Sequence, residues 1–384
     1  MIINRIRTIQ ADDASRACWS SIGAYKNVSF VADTIINLHD VPAKHRVNVQ
    51  KQVRQLRYCL IQAEEYFRAA RRVTAATRPL LLYYGTLSLA LSEILLKHTG
   101  VSSLDKARGE HAHHGLDLRL AANPSKFFDP QESACKLRVV PMIRTDGTRY
   151  GTFELWHRSS RELPHVGEEE VTFPNGTQQS GTTITGNPAD RPMDATEKTG
   201  VSLLDCFANC WGVARLLSEY GAASSLVRGL SRIKKDIGRM EVVLQTVIHP
   251  ARADILEKVM SKFTFSPNDY ETITIYEPAS GCIIEQRVGE NCPMTGGKMP
   301  NAFQVKRDEV LFCADNESLN EFGIYYVGLF ILGNYARYFP DYWMEDIETC
   351  SPLFLLSTEF MDYAESRMPV LALSELSRTF TLIQ

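Results

Sequence analysis

This sequence has no CxxC pair, no internal repeat and no long, uninterrupted apolar run. Each absence removes a class of protein. The nine cysteines (Cys18, Cys59, Cys135, Cys206, Cys210, Cys282, Cys292, Cys313 and Cys350) are odd in number and scattered. Structural zinc is held by closely spaced ligand pairs, and a disulfide framework uses an even, patterned set. Reduced, mostly buried thiols are therefore expected, and the sequence assigns neither a metal nor a cofactor. Net charge is −3 over 384 residues, so no overall field draws the chain to nucleic acid or membrane. A polyanionic partner would need a local patch. No Ser-His-Asp elbow, dinucleotide fingerprint or kinase motif set occurs. The run "ENCPMTGGKMP" fails as a phosphate loop. Cys292 stands where the first glycine belongs, and Met299 replaces the magnesium-binding hydroxyl. It reads as a surface turn.

The N-terminal "MIINRIRTIQADD" is interrupted by charge before an apolar core can form, so it does not read as a signal peptide. The most apolar run, "PLLLYYGTLSLALSEILL", is broken by Glu93, two tyrosines and a glycine. It reads as a buried core helix rather than a membrane span. The expectation is a cytoplasmic protein with no membrane partner.

What is present is helical periodicity at both ends of the chain. Val49, Val53, Leu56, Leu60, Ala63 and Phe67 step by four and three, which keeps them on one helical face between 44 and 76. Lys51, Arg54 and Arg57 line another face. Thr77-Arg78-Pro79 ends that helix, because the residue before proline avoids helical geometry. Pro79 then suits the first turn of an apolar helix over 79–98.

Between 134 and 190 the pattern changes. "CKLRVVPMI" and "TRYGTFELWH" read as β-like runs around an Asp-Gly turn. "FPNGTQQSGTTITGNPADRP" is either a loop or a hairpin with an exposed tip. Helix is expected again over 198–245, then a small α/β stretch with one helix and three strands, then a helical tail from 320. Five segments follow: 1–125 N-terminal helical, 126–195 β-rich with a long loop, 196–250 helical with a basic stripe, 251–316 small α/β, and 317–384 C-terminal helical. The fold class is α+β and mainly α-helical, with β-rich segments inserted between two helical ends that pack together.

The two ends carry a resemblance. "RPLLLYYGTLSLALSEILL" followed by "HHGL", and "YYVGLFILGNYARYFPDYW" followed by "SPLFLLSTEFMDYAESRMPVLALSEL", resemble the YaaC-like family of bacterial proteins. That likeness implies an architecture more than an activity. A tyrosine-rich, leucine-rich helix, a short loop and His-Gly-Leu are also similar to HEPN helical bundles. Some of those are metal-independent ribonucleases with an Arg-x4-6-His motif; many are inactive binding or assembly modules, several in phage-defence systems. Arg108 and His113 satisfy that spacing, although Gly109 follows the arginine where a polar residue is usual.

The chemistry of that pair is reasonable. Cleavage through a 2′-hydroxyl needs an acid or base near neutral pH, which histidine supplies, and a cation for the phosphorane, which a guanidinium supplies. Residues five apart on a helix diverge by about 140°, so convergence would need a bend or a dimer. The plain alternative is a polar loop capping helices. His111, His113 and His114 could be read as a metal set, but no thiol lies beside them, and a metal is not the reading favoured here. Arg228, Arg232, Lys235 and Arg239 step by four, three and four, opposite Leu226, Leu230, Ile233, Ile237 and Met240. Read as a helix, this is a cationic stripe suited to a phosphate backbone; read plainly, it is a solvated face. Aromatics of "ARYFPDYW" are expected in the core, with Arg337 buried against Asp341 or Glu345. The function these readings favour is a binding or assembly component using basic faces on RNA or DNA, with a protein partner or a second copy. The rival is a metal-independent endoribonuclease.

Overall fold

The computed structural model describes residues 3–97, 104, 112–120, 136–159, 165–186, 193, 198–263, 272–276, 281–288 and 299–383. The class is α+β and mainly helical. The expected N-terminal hairpin is present as α3 (Arg46–Ala70) and α4 (Arg78–Lys97), preceded by β1 (Ile6–Ile9), α1 (Ala14–Ile22) and α2 (Val28–Leu38). The apolar positions of α3 are buried as their spacing requires. The two helices approach closely because Gly85 faces Phe67. A Cβ at Gly85 would lie 2.7 Å from the Phe67 ring.

Helix α4 is long and apolar enough to cross a bilayer by composition, yet most of it is buried in the bundle. Glu93, the charge inside it, is buried and accepts a hydrogen bond from the Trp156 indole, 2.8 Å.

The C-terminal helices complete the same core. In chain order the elements after α4 are β2 (Leu116–Leu120), β3 (Leu137–Pro141), α5 (Thr152–Ser159), β4 (His165–Thr172), β5 (Gln178–Gly186), β6 (Val201–Ser202), α6 (Leu203–Ala208), α7 (Ala214–Glu219), β7 (Leu226–Asp236), β8 (Glu241–Ile248), α8 (Ala253–Met260), β9 (Thr272–Tyr276), β10 (Cys282–Val288), β11 (Ala302–Lys306), β12 (Glu309–Cys313), α9 (Glu321–Tyr338), α10 (Pro340–Glu348), α11 (Pro352–Ser377) and β13 (Phe380–Ile383). Helix α9 lies on α4, with the Tyr83 ring packed against Tyr326 and Phe330. The two helical ends thus share one hydrophobic core. A parallel pairing of β1 with β13, from Ile6 opposite Phe380 to Ile9 opposite Ile383, ties the chain ends together. Buried ion pairs lock the bundle. Arg367 grips Glu321 through Nε (2.8 Å) and Nη2 (2.6 Å), and Lys97 pairs with Glu375. Arg78 reaches both Asp362 (2.6 Å) and Glu365 (2.7 Å).

The β-rich part is an eight-stranded sheet running β11-β12-β7-β8-β10-β9, with β4 on the second half of β7 and β5 on β4. Helix α8 covers a second, smaller core through Ile255 and Val259. The segment over 165–186 is a hairpin with an exposed tip at Pro174–Thr177. A separate three-stranded sheet runs β2-β3-β6.

Two readings are corrected. The helix expected over 198–245 is instead two short helices, α6 and α7, followed by the β7–β8 hairpin. Gly229 has the Val247 carbonyl oxygen 2.4 Å from where a Cβ would stand, so that strand packs where only glycine fits. The run "TRYGTFELWH" is strand-like only at an isolated Ile143–Arg149 bridge. After Gly151, with φ +97°, it becomes α5, whose Phe153, Trp156 and His157 are buried on one face. That three-and-four spacing was the overlooked signal.

Candidate functional site

The "HAHHGL" turn is held by the chain that follows it. The first amides of α5 have no partners within their own helix. They donate outward instead: Thr152 N to the His113 carbonyl (3.0 Å) and Phe153 N to the His114 carbonyl (3.0 Å). Gly115 (φ +84°) and Gly151 (φ +97°) touch backbone to backbone, since a Cβ on Gly151 would lie 2.4 Å from the Gly115 Cα. The turn at His113–Gly115 therefore caps α5, and at the same time orients two imidazoles.

His113 is exposed and packs edge-on against Tyr150, with ring centroids 5.2 Å apart. The Arg144 guanidinium lies 4.9 Å from the other ring partner, the Tyr150 centroid. His114 is exposed as well, but its ring lies against α4 and α9. Its Nδ1 is 2.8 Å from the Tyr83 hydroxyl, and its ring meets Phe330 edge-on. Partial burial, then the Arg337 charge, then His113 hold the His114 pKa below its ordinary value.

Arg337 differs from expectation. It is exposed rather than buried, and it makes no ion pair among the described residues. Its Nη1 lies 3.4 Å from the Tyr84 hydroxyl, and its guanidinium sits 5.1 Å from the Tyr338 ring centroid. The aromatics around it divide: Tyr335 and Trp343 are buried, whereas Tyr338 is 60% exposed. Tyr83, His114 and Phe330 thus meet where α4, α9 and the 113–115 turn come together, and Arg337, near the end of α9, reaches the next residue of α4, Tyr84. Sequence reasoning had Arg337 and the histidine run apart. Only tertiary packing brings each of them against α4.

Of the proposed nuclease pair, His113 has the solvent access a proton-transfer group needs. Arg108 and His111 lie outside the described residues, as does most of the "ENCPMTGGKMP" run. Among the described residues no group of three His, Cys, Asp or Glu side chains could hold a metal ion. The seven described cysteines are free thiols, buried except for Cys350, and Cys135 and Cys292 lie outside the described residues.

The cationic stripe at 228–239 dissolves as a helical face. On strand β7, Arg228 and Arg232 share one side, Lys235 takes the other, and Arg239 lies in the turn. Each has an acid. Arg228 pairs with Glu309, Arg232 with Glu168 (2.7 Å), Lys235 with Glu169 (2.5 Å), and Arg239 with Asp236 (3.8 Å). The acids of β4 come from the run Glu168–Glu170, which lies alongside β7 in parallel, Glu168 opposite Arg232. That glutamate run was the available signal.

The other cationic set keeps its helix. Lys51, Arg54 and Arg57 are all exposed on α3. Val47, Lys51, Arg54 and Tyr58 fall within an arc of about 60°, opposite the buried stripe of Val49, Val53, Leu56 and Leu60. Tyr58 is 58% exposed and Val47 80%. From Val41 to Ala63 the sequence holds five Lys and Arg and no Asp or Glu. Lys44, Arg46, Arg54 and Arg57 make no ion pair among the described residues.

The model of the YaaC-like protein family matches residues 23–376, nearly the whole chain, and the protein belongs to that family. No curated protein and no solved structure matches it.

Proposed function

We propose that this member of the YaaC-like family is a cytosolic binding or assembly component that contacts nucleic-acid phosphates through the outer face of α3. The observation that carries this reading is the exposed face bearing Lys51, Arg54 and Arg57, with Tyr58 among them, on a stretch of sequence that itself holds no Asp or Glu. Phosphate contacts of this kind give affinity without reading sequence, and an exposed aromatic offers a stacking surface for an unpaired base. An anti-phage defence complex, with a protein partner or a second copy, is the setting we propose for it.

The test is fluorescence anisotropy of the full chain on a labelled single strand, as a function of salt. Changing Lys51, Arg54 and Arg57 together to glutamine should weaken binding and lower the slope of log affinity against log salt by about two, since each phosphate contact on a single strand is worth roughly 0.7. An unchanged slope in a folded variant would leave α3 as ordinary solvated surface.

A second reading is favoured by the exposed His113 imidazole on its capped turn: a metal-independent endoribonuclease using Arg108 and His113. Its test is RNA cleavage by purified protein in EDTA, abolished by His113→Ala with binding retained. Absence of any cleavage by the wild type disposes of it.

A further inference from the structure

Strand β5 leaves one edge of the eight-stranded sheet open, and the proposal above does not use it. It pairs with β4 on one side only. Among the described residues no group hydrogen-bonds to its other side. Gln178, Gln179 and Ser180 are exposed, and Gly181, Thr182, Thr183 and Ile184 are partly so. Every second residue of an edge strand presents its N–H and C=O outward, and such a row is a template for a further strand.

Folded proteins guard such edges with lysine, proline, a bulge or a very short strand. Over Gln178–Gly186 the sequence QQSGTTITG has no charged residue and no proline. The one register step lies at the far end, where Thr185 is left over between the pairs Val166–Ile184 and His165–Gly186. That end is also the covered one, since Ile184 packs on the main core and β1 comes close to it. The regular stretch from Gln178 to Thr183 is the unguarded part. The other edges of this sheet differ: β11 ends on Lys306, and β9 is uncharged but only 5 residues long.

We infer that this edge pairs antiparallel with the same edge of a second copy of the chain, about a two-fold axis that joins two eight-stranded sheets into one. The composition of β5 selects a second copy. A strand set against its own reverse brings any charge near its own sign, and β5 carries none. With Gly181 on the axis, Ser180 faces Thr182 of the partner subunit and Gln179 faces Thr183 of the partner subunit, small polar pairs that suit cross-strand hydrogen bonds. A foreign strand is chosen by side-chain pockets beside the edge, whereas Gln, Ser, Gly and Thr shape no such pocket. The acids of β4 do not oppose the pairing. The two β4 strands stand three strand spacings apart, about 14 Å, which exceeds the Debye length of about 8 Å at physiological salt. Glu168 and Glu169 are also paired already, with Arg232 and Lys235. The edge shares no residue with the α3 face, so each proposal fails without the other.

The experiment follows the full chain by sedimentation and by hydrogen exchange over concentrations from about 1 to about 200 µM, the range in which a small interface forms a weak dimer. The expected mass rises from one copy toward two across that range. The peptide covering Gln178–Thr183 should gain protection as it does, while peptides from α3 should not. Ser180→Lys with Thr182→Lys places its side chains opposite Glu170 and Glu168 of β4, so the variant should fold. It should weaken association about tenfold or more, because the lysines of the two copies crowd at the axis. Ser180→Val with Thr182→Val, neutral and β-branched, should keep the dimer. A chain that stays monomeric throughout overturns the inference. So does a dimer in which β5 gains no protection, and so does a lysine variant that dimerises as tightly as the wild type. Full protection of Gln178–Thr183 already at the lowest concentration would show the edge covered within one copy, and overturns it equally. The exchange measurement on the wild type decides the matter even if the lysine variant does not fold.

Discussion

The outer face of α3 and the strand β7 carry nearly the same sequence signal and come to opposite ends. In each, cations recur at helix-like spacings, every three residues in Lys51, Arg54 and Arg57 and by four, three and four in Arg228, Arg232, Lys235 and Arg239. On α3 they stand on the side of the helix away from the core, and Arg54 and Arg57 make no ion pair among the described residues. On β7 they meet Glu168, Glu169 and Glu309 from adjacent strands, and Asp236 from their own. The reason is geometric. A strand within a sheet has hydrogen-bonded neighbours about 4.8 Å away on both sides, and side chains opposite each other touch. A surface helix faces water on its outer side. A row of basic residues therefore reports a phosphate-binding face only if the neighbouring elements leave it unpaired.

The most severe test takes pairing to its limit. Arg367 is largely buried, and Glu321 is its bidentate partner. Arg367→Met should cost about 3–5 kcal/mol in urea unfolding, because the Glu321 carboxylate is left buried and uncompensated. A loss near zero would mean that pairing does not decide which cations the fold depends on. Next comes the α3 triple glutamine variant: a binding loss of about 10- to 100-fold at low salt, with the urea midpoint nearly unchanged, since exposed charges contribute little to stability. A clear fall in midpoint would show that the face is structural.

The matching change on β7, Arg228, Arg232, Lys235 and Arg239 all to glutamine, should do the reverse. Stability should fall by about 1–3 kcal/mol, as Glu309 and the β4 glutamates lose their partners, while the salt slope of binding stays put. A lowered salt slope there would return the strand to the interface.

The smallest effect concerns pH. The folded His114 pKa is depressed, chiefly by burial, so the unfolded chain takes up a proton more readily as pH falls. Stability contributed by neutral His114 is present above the unfolded value of about 6.5 and is lost as pH falls below it toward the folded value. His114→Gln should flatten that part of the stability–pH curve; an identical curve would mean the imidazole is not held neutral by its surroundings.

The helical ends were legible because their pattern is long and repeated. Six apolar positions of α3 in register, and an apolar helix starting at Pro79, leave little room for another reading. The packing of α4 on α9 followed from a physical argument as well, since two helices that apolar need each other. The middle was less legible. Over 226–240 the spacing of Leu226, Leu230, Ile233 and Ile237 mimics a helix, but β7 is buried from two sides of a sheet and its alternation is masked by the paired cations. Over 149–159 a tight glycine contact, Gly151 on Gly115, converts a strand-like run into a helix start. That contact joins residues far apart in the chain.

By itself the sequence determined the two-ended helical core, the buried thiols among the described cysteines, and the outward cationic face of α3. All three rest on local period and composition, which act within a few turns of chain. Tertiary structure alone decided two other matters: that the cations of β7 are neutralised, and that Arg337 stands beside Tyr84 and His114 beside Tyr83. Ion pairing and side-chain contact depend on distances of a few ångströms between residues separated by tens to hundreds of positions. No periodicity in one segment records what a distant segment will place beside it.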